Sequence, residues 1–137
     1  MKPLLILAFA ALTSLSAANP TNNPAEGQSR EAADPVNESI EKAKIIVLGC
    51  KLFSTDHANA FPKNLLELCP AYLPHIAQFS CPLCPKLLVG YDYFGGSYYA
   101  PKQVTLQSKA PTPDGKWIVA YSDGEVKLTN KKVQKQK

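Results

Sequence analysis

The stretch DPVNESIEKAKIIVLGCKLFSTDH, residues 34–57, decides the fold. Val36, Ile40, Ala43, Val47, Cys50 and Ser54 recur in it at three- and four-residue spacing, and Ile46 and Phe53 widen the stripe. Glu38, Glu41, Lys42, Lys44 and Lys51 fall mainly elsewhere, which is the pattern of an amphipathic helix with one face toward a core. Asp34-Pro35 supplies the start: the Asp accepts from free amides, and the Pro is tolerated at the first helical position, where its missing N–H costs nothing. Asn37 is an alternative cap. The spacing predicts one helix ending near His57. At about 1.5 Å per residue it spans roughly 30 Å, the width of a small domain, and forms the spine of the fold.

Downstream of this helix Phe61-Pro62 breaks the run. Leu65, Leu66, Leu68, Tyr72 and Leu73 then predict a short second helix, confined by Pro70 and Pro74. After the Cys81-Pro82-Leu83-Cys84-Pro85 turn come candidate strands at 87–93, 98–106, 117–121 and 125–128. Gly95-Gly96 separates the first two and Pro113-Asp114-Gly115 precedes the third. Asp123-Gly124 reads as a two-residue hairpin turn requiring positive φ. A long N-terminal helix followed by consecutive antiparallel strands gives an α+β domain, residues 35–130, whose sheet packs one face on the helix. No internal repeat is present.

Upstream, Met1-Lys2 is a short basic start, Leu4 to Leu15 is almost unbroken apolar, and Ser16-Ala17-Ala18 places small residues where signal peptidase cuts. Residues 1–18 therefore read as a cleaved signal peptide, and the chain is expected to be exported to the periplasm or medium. A run of about a dozen apolar residues is too short to span a bilayer as a helix, and no later segment approaches that length. Residues 19–34 are poor in large apolar side chains and read as a disordered spacer. The formal charge is +4, or +3 once Lys2 is removed. Lys131, Lys132, Lys135 and Lys137 crowd into the basic tail 131–137, read here as a solvated terminus and not a nucleic-acid contact.

About a hundred residues remain to fold, a modest core that crosslinks would help. The four cysteines, Cys50, Cys69, Cys81 and Cys84, are an even number in an exported chain, which favours disulfides. Three pairings are open, with Cys50–Cys69 plus Cys81–Cys84 preferred because the second helix returns along the first. Two rival chemistries use Cys81 and Cys84. One is thiol–disulfide exchange, which needs an exposed low-pKa thiolate at a helix start, and Pro85 followed by strand-like 87–91 leaves little room for that helix. The other is zinc, with Cys50 and Cys69 completing four sulfurs, although only one of the two expected close pairs exists. His57 and His75 carry no metalloprotease or nucleophile motif, and Asp56-His57 reads as helix-end polarity. No glycine-rich phosphate loop and no cofactor is indicated. Tyr91, Tyr93, Phe94, Tyr98 and Tyr99 form an aromatic cluster; strand alternation puts about half in the core and leaves the remainder as a partner-binding surface.

Four segments in order resemble the globular half of bacterial type IV pilin-like and type II secretion pseudopilin-like proteins. Lys51-Leu-Phe-Ser-Thr-Asp-His-Ala-Asn-Ala-Phe-Pro62 is similar to the family's helix end, and Leu65-x-x-Leu68-x-Pro70-x-Tyr72-Leu73 to its next segment. Phe79-x-Cys81-Pro82 and Tyr121-Ser122-Asp123-Gly124-Glu125-Val126 are similar to the Phe-x-Cys-Pro and closing hairpin of these domains. The likeness covers roughly residues 45–128 and implies a non-enzymatic head domain with a protein partner in the cell envelope, accessory to a secretion or pilus system. The Gly-Phe-x-x-x-Glu processing site and the long apolar filament helix of a prepilin are not in this sequence, so filament formation by that route is not expected. Some relatives hold calcium in C-terminal loops; Asp114 and Asp123 are the acidic residues there, and each beside a glycine reads first as a turn former.

Overall fold

The computed structural model describes residues 34–100 and 102–135. The signal-like segment 1–18 and most of the spacer lie outside the described residues. The order of elements is α1 (Pro35–Asp56), two 3-10 turns (Leu65–Leu68 and Ile76–Phe79), then β1 (Tyr91–Tyr93), β2 (Val104–Ser108), β3 (Trp117–Tyr121) and β4 (Val126–Thr129). The fold is α+β: one helix packed on a four-stranded antiparallel sheet of order β1-β2-β3-β4.

α1 begins as its sequence dictates, with Asp34 Oδ1 accepting from Val36 N–H at 3.0 Å and Pro35 at the first helical position. It ends because Ala58 and Asn59 adopt positive φ (52° and 65°), turning the chain so that Asn59 N–H donates back to Ser54 O at 2.8 Å. The buried side of the helix is Ser39, Ala43, Ile46, Val47, Gly49, Cys50, Phe53 and Ser54. Against it lie Tyr91, Leu106, Ile118 and Ala120 from the sheet, with Leu65, Leu68, Leu73 and Phe79 from the connecting segment. The second helix expected over 65–73 is instead a single 3-10 turn, Leu65–Leu68, followed by a second such turn at Ile76–Phe79. Asn64 caps the first, its Oδ1 accepting from Leu66 N–H at 2.9 Å, and the prolines confine each to a single turn.

The strands are shorter than their apolar runs. β1 starts at Tyr91 rather than 87, because the chain is still turning after Pro85, with Leu87 N–H donating to Cys84 O at 3.0 Å. β2 starts at Val104 rather than 98, because Tyr98 N–H is taken by Asn59 O at 3.0 Å and Ala100 N–H by Ser97 O at 3.2 Å. The β3–β4 hairpin is present, but its loop has three residues, not two. Gly124 (φ 95°) follows a turn closed by Gly124 N–H to Tyr121 O at 2.9 Å, and Tyr121 N–H donates to Glu125 O at 2.8 Å. Asp123 has no positive φ, so only the last loop position needs glycine.

The second face of the sheet is covered as well. Register places Asp92, Gln107, Val119 and Lys127 in one row across the four strands, on the side away from α1. Gln107 and Val119 are nonetheless fully buried. The C-terminal segment lies over them: Val133 N–H donates to Gln107 Oε1 at 2.6 Å, and Lys132 Nζ sits 5.0 Å from the Trp117 ring centroid. Of the tail expected to be solvated, Val133 is half-buried on the sheet, while Lys131, Lys132, Gln134 and Lys135 are exposed. Ending the chain at Asn130 removes Val133 and the N–H from which Gln107 Oε1 accepts, a loss of about 1 kcal/mol. The expected outcome is a lower melting temperature together with increased binding of an apolar dye, checked by thermal denaturation with and without the dye.

Candidate functional site

Three groups of residues singled out by the sequence come to defined places, and the cysteines are the first. All four carry free thiols in this structure. Cys81 is buried between the helix and the sheet: its Sγ donates to Ser39 Oγ at 3.4 Å, and Ser39 Oγ donates to Pro35 O at 2.6 Å. Cys84, three residues on, closes a turn onto Cys81 (Cys84 N–H to Cys81 O, 2.9 Å), and its Sγ donates to Gly90 O at 3.5 Å. The Cys81 thiol is near enough to Cys84 to influence its protonation. Gly90 lies so close to Cys81 that a Cβ there would sit 2.2 Å from Cys81 Cβ and 2.6 Å from its backbone nitrogen, so no other residue fits. Next to it Tyr91, whose phenol donates to Ser39 O at 2.6 Å, is 1% exposed.

The electrostatics of this junction favour neutral groups. Burial pushes the Cys84 thiol up to about 11, helped by neighbouring Cys81 and opposed by Lys109. Burial likewise raises Cys50 to about 12, with the Tyr93 hydroxyl pulling weakly the other way. Tyr91 and Tyr93 are also raised, in each case mainly by desolvation. A thiol-exchange nucleophile requires the opposite shift. Among the described residues, no three His, Cys, Asp or Glu side chains gather where they could hold a metal ion.

Within the aromatic cluster the structure separates two roles. Tyr91 is core, and Tyr93 is tied down by its phenol, which donates to Pro62 O at 2.6 Å. Both face α1 because residues two apart share a sheet face. Neither side chain forms part of an exposed aromatic surface, which corrects that expectation for Tyr91 above all. Phe94 is half-buried beside the C-terminal segment. Tyr98 (44% exposed) and Tyr99 (74%) do stand at the surface, edge to face at 5.1 Å between centroids. Lys51 of α1 holds them to the helix, its Nζ 5.8 Å from the Tyr98 ring centroid while donating to Asp123 O at 3.0 Å.

The remaining candidates do not converge. Asp114 and Asp123 flank opposite ends of the five-residue β3, roughly 16 Å of strand apart. Asp123 spends an oxygen on Glu125 N–H at 2.9 Å, as a turn former does. Asp56 accepts from the Tyr72 phenol at 2.7 Å, while His57 donates Nδ1–H to Phe53 O at 2.8 Å and stacks on the Phe53 ring at 3.7 Å. Asp56 and His57 thus finish the helix separately. No helix of the described residues is long and apolar enough to cross a membrane. No family model, no curated protein and no solved structure matches this chain.

Raised thiols give a pH dependence with a definite sign. From the ordinary 9.0 of a thiol up to about 12, the unfolded chain loses its Cys50 proton while the folded chain keeps it. The corresponding stability is therefore complete below pH 9.0 and is lost as pH rises through that window. The reduced protein is expected to show denaturant midpoints that fall steadily above that pH. Alkylation of Cys84 by iodoacetamide, followed by mass spectrometry, is expected to accelerate up to about pH 11. A plateau already reached at neutral pH would mark a reactive thiolate instead.

Proposed function

We propose that this chain is an exported, non-enzymatic domain of the pilin or pseudopilin head type, with a binding or structural role in the cell envelope beside a secretion or pilus system. The export reading rests on residues 1–18 with cleavage near Ala18, and the family reading on the four segments between Lys51 and Val126. A helix leading into an antiparallel sheet agrees with the family reading. The observation that carries a binding role is the Tyr98–Tyr99 pair: two adjacent exposed phenols held in place by Lys51, with exposed Leu48 and Leu52 one helical turn apart beside that lysine. Rigid aromatic surface next to aliphatic surface is the composition of a protein-recognition patch, and the occupant is a protein partner. In an oxidising compartment the three-residue spacing of Cys81 and Cys84 across one turn favours a structural disulfide between them.

The alternative is a periplasmic thiol-redox or metal-binding protein acting through Cys81 and Cys84. Their proximity favours it. The burial of Cys81 and the upward shift of Cys84 weigh against it, because exchange needs an accessible thiolate.

The test is co-purification of the exported chain with envelope extract from its source, wild type against Tyr98→Ala/Tyr99→Ala. Secretion or pilus components are expected on the wild type and absent from the double variant. Retention by both, or recovery of nothing, contradicts the proposal.

A further inference from the structure

β1 pairs with β2 alone, so its other side is an open sheet edge. The ladder to β2 continues past the strand ends: Phe94 N–H donates to Thr105 O, and Lys109 N–H to Gly90 O, both at 2.9 Å. Bonded and non-bonded residues alternate in an antiparallel ladder. Asp92 and Phe94, and the carbonyl of Gly90, therefore point toward β2, and Tyr91 and Tyr93 turn their backbone groups outward. Among the described residues, nothing pairs with the outward N–H and C=O of these two tyrosines.

A groove of about 490 Å³ lies beside them, lined by all three residues of β1, by Leu65 and Leu66, and by lysines. Consecutive strand residues point to opposite faces, so a cavity that touches all three runs along the edge itself. This is the position of a further strand. Leu66, 52% exposed, offers that strand apolar contact. Lys63, Lys109 and Lys135 face the groove against a single lining carboxylate, Asp92, leaving a local excess of +2. Nearby Glu67 is already engaged, accepting from Lys63 N–H at 3.1 Å and Asn64 Nδ2 at 2.8 Å.

We propose that the β1 edge is a peptide-binding site that takes an extended, acidic segment of a partner protein as a fifth strand. The backbone of Tyr91 and Tyr93 supplies the pairing, and Lys63, Lys109 and Lys135 supply the preference for carboxylates. The same charges disfavour a second copy of this chain, since pairing β1 with β1 would bring both sets of lysines together. The groove is separate from the Tyr98–Tyr99 surface, neither of which lines it.

The probe is a dye-labelled peptide, acetyl-Glu-Val-Glu-Val-Glu-amide, titrated with the full chain and followed by fluorescence anisotropy. Saturable binding is expected, weakened about tenfold or more by Lys109→Glu and by Lys63→Glu, each checked for retained fold by circular dichroism. N-methylation of one alternating set of peptide amides should abolish binding while methylation of the other set is tolerated. Tyr98→Ala/Tyr99→Ala should bind the peptide as the wild type does, so failure of the tyrosine surface and failure of this edge read out separately. Absence of binding, equal affinity for the lysine counterpart of the peptide, or indifference to both methylation patterns overturns the proposal. So does a concentration-dependent dimer of the chain alone that Lys109→Glu dissolves, which would seat a second copy on the edge.

Discussion

The approach of Gly90 to Cys81 is the constraint on which the rest of this domain depends. It brings the loop after the second 3-10 turn against the start of the sheet, with Gly90 N–H donating to Phe79 O at 2.8 Å. One residue later the Tyr91 phenol crosses the core to Ser39 O on α1. Helix, loop and sheet thus meet at a point where polar groups are buried and paired, and a buried carbonyl left without its donor would be costly. A domain of this size has little apolar core to spare, so a junction that fixes three elements at once weighs heavily in its stability. Both thiols of the Cys81–Cys84 turn belong to it: Cys81 is a packing and hydrogen-bonding member of the junction, and Cys84 bonds to the carbonyl of the glycine that forms it.

The central strands of the sheet are buried on both faces, while its edges are not. α1 covers one side, and on the other Val133 of the C-terminal segment bonds the buried Gln107. What is left to present to other molecules is therefore at the margins: the tyrosine pair at the end of the helix, and the free edge of β1. Both are built on elements held by the core, so their groups are positioned before any partner arrives, which reduces the ordering cost of association.

The sequence made the helix legible because its start and its buried stripe are local signals. Asp34-Pro35 and the three- and four-residue spacing from Val36 to Ser54 correspond to the cap and the buried face of α1. β3 was legible for the same reason, bounded by turn residues on both sides. The connecting segment was less so: leucines at 65, 66 and 68 read as a helix, but prolines on either side limit it to single 3-10 turns. The strands at 87–93 and 98–106 were read too early because apolar content persists through segments whose N–H groups are used elsewhere, by Cys84 O and Asn59 O. Nothing local marks Gly90 as the close-contact glycine, or Val133 as the partner of the buried Gln107; both are consequences of tertiary packing. Among the aromatics, alternation did announce that some would be core, and register with β2 decides that Tyr91 is one of them.

The most direct test of this account is the stability of Tyr91→Phe, measured by denaturant unfolding of the full chain at neutral pH. The substitution keeps the ring and removes only the hydroxyl that reaches Ser39 O, a carbonyl that keeps its place in the helical ladder of α1 and loses this second donor. The expected result is a loss of about 0.5–1.5 kcal/mol with an unchanged dependence on denaturant. A variant as stable as the wild type would contradict it, because the junction would then not be what holds helix to sheet.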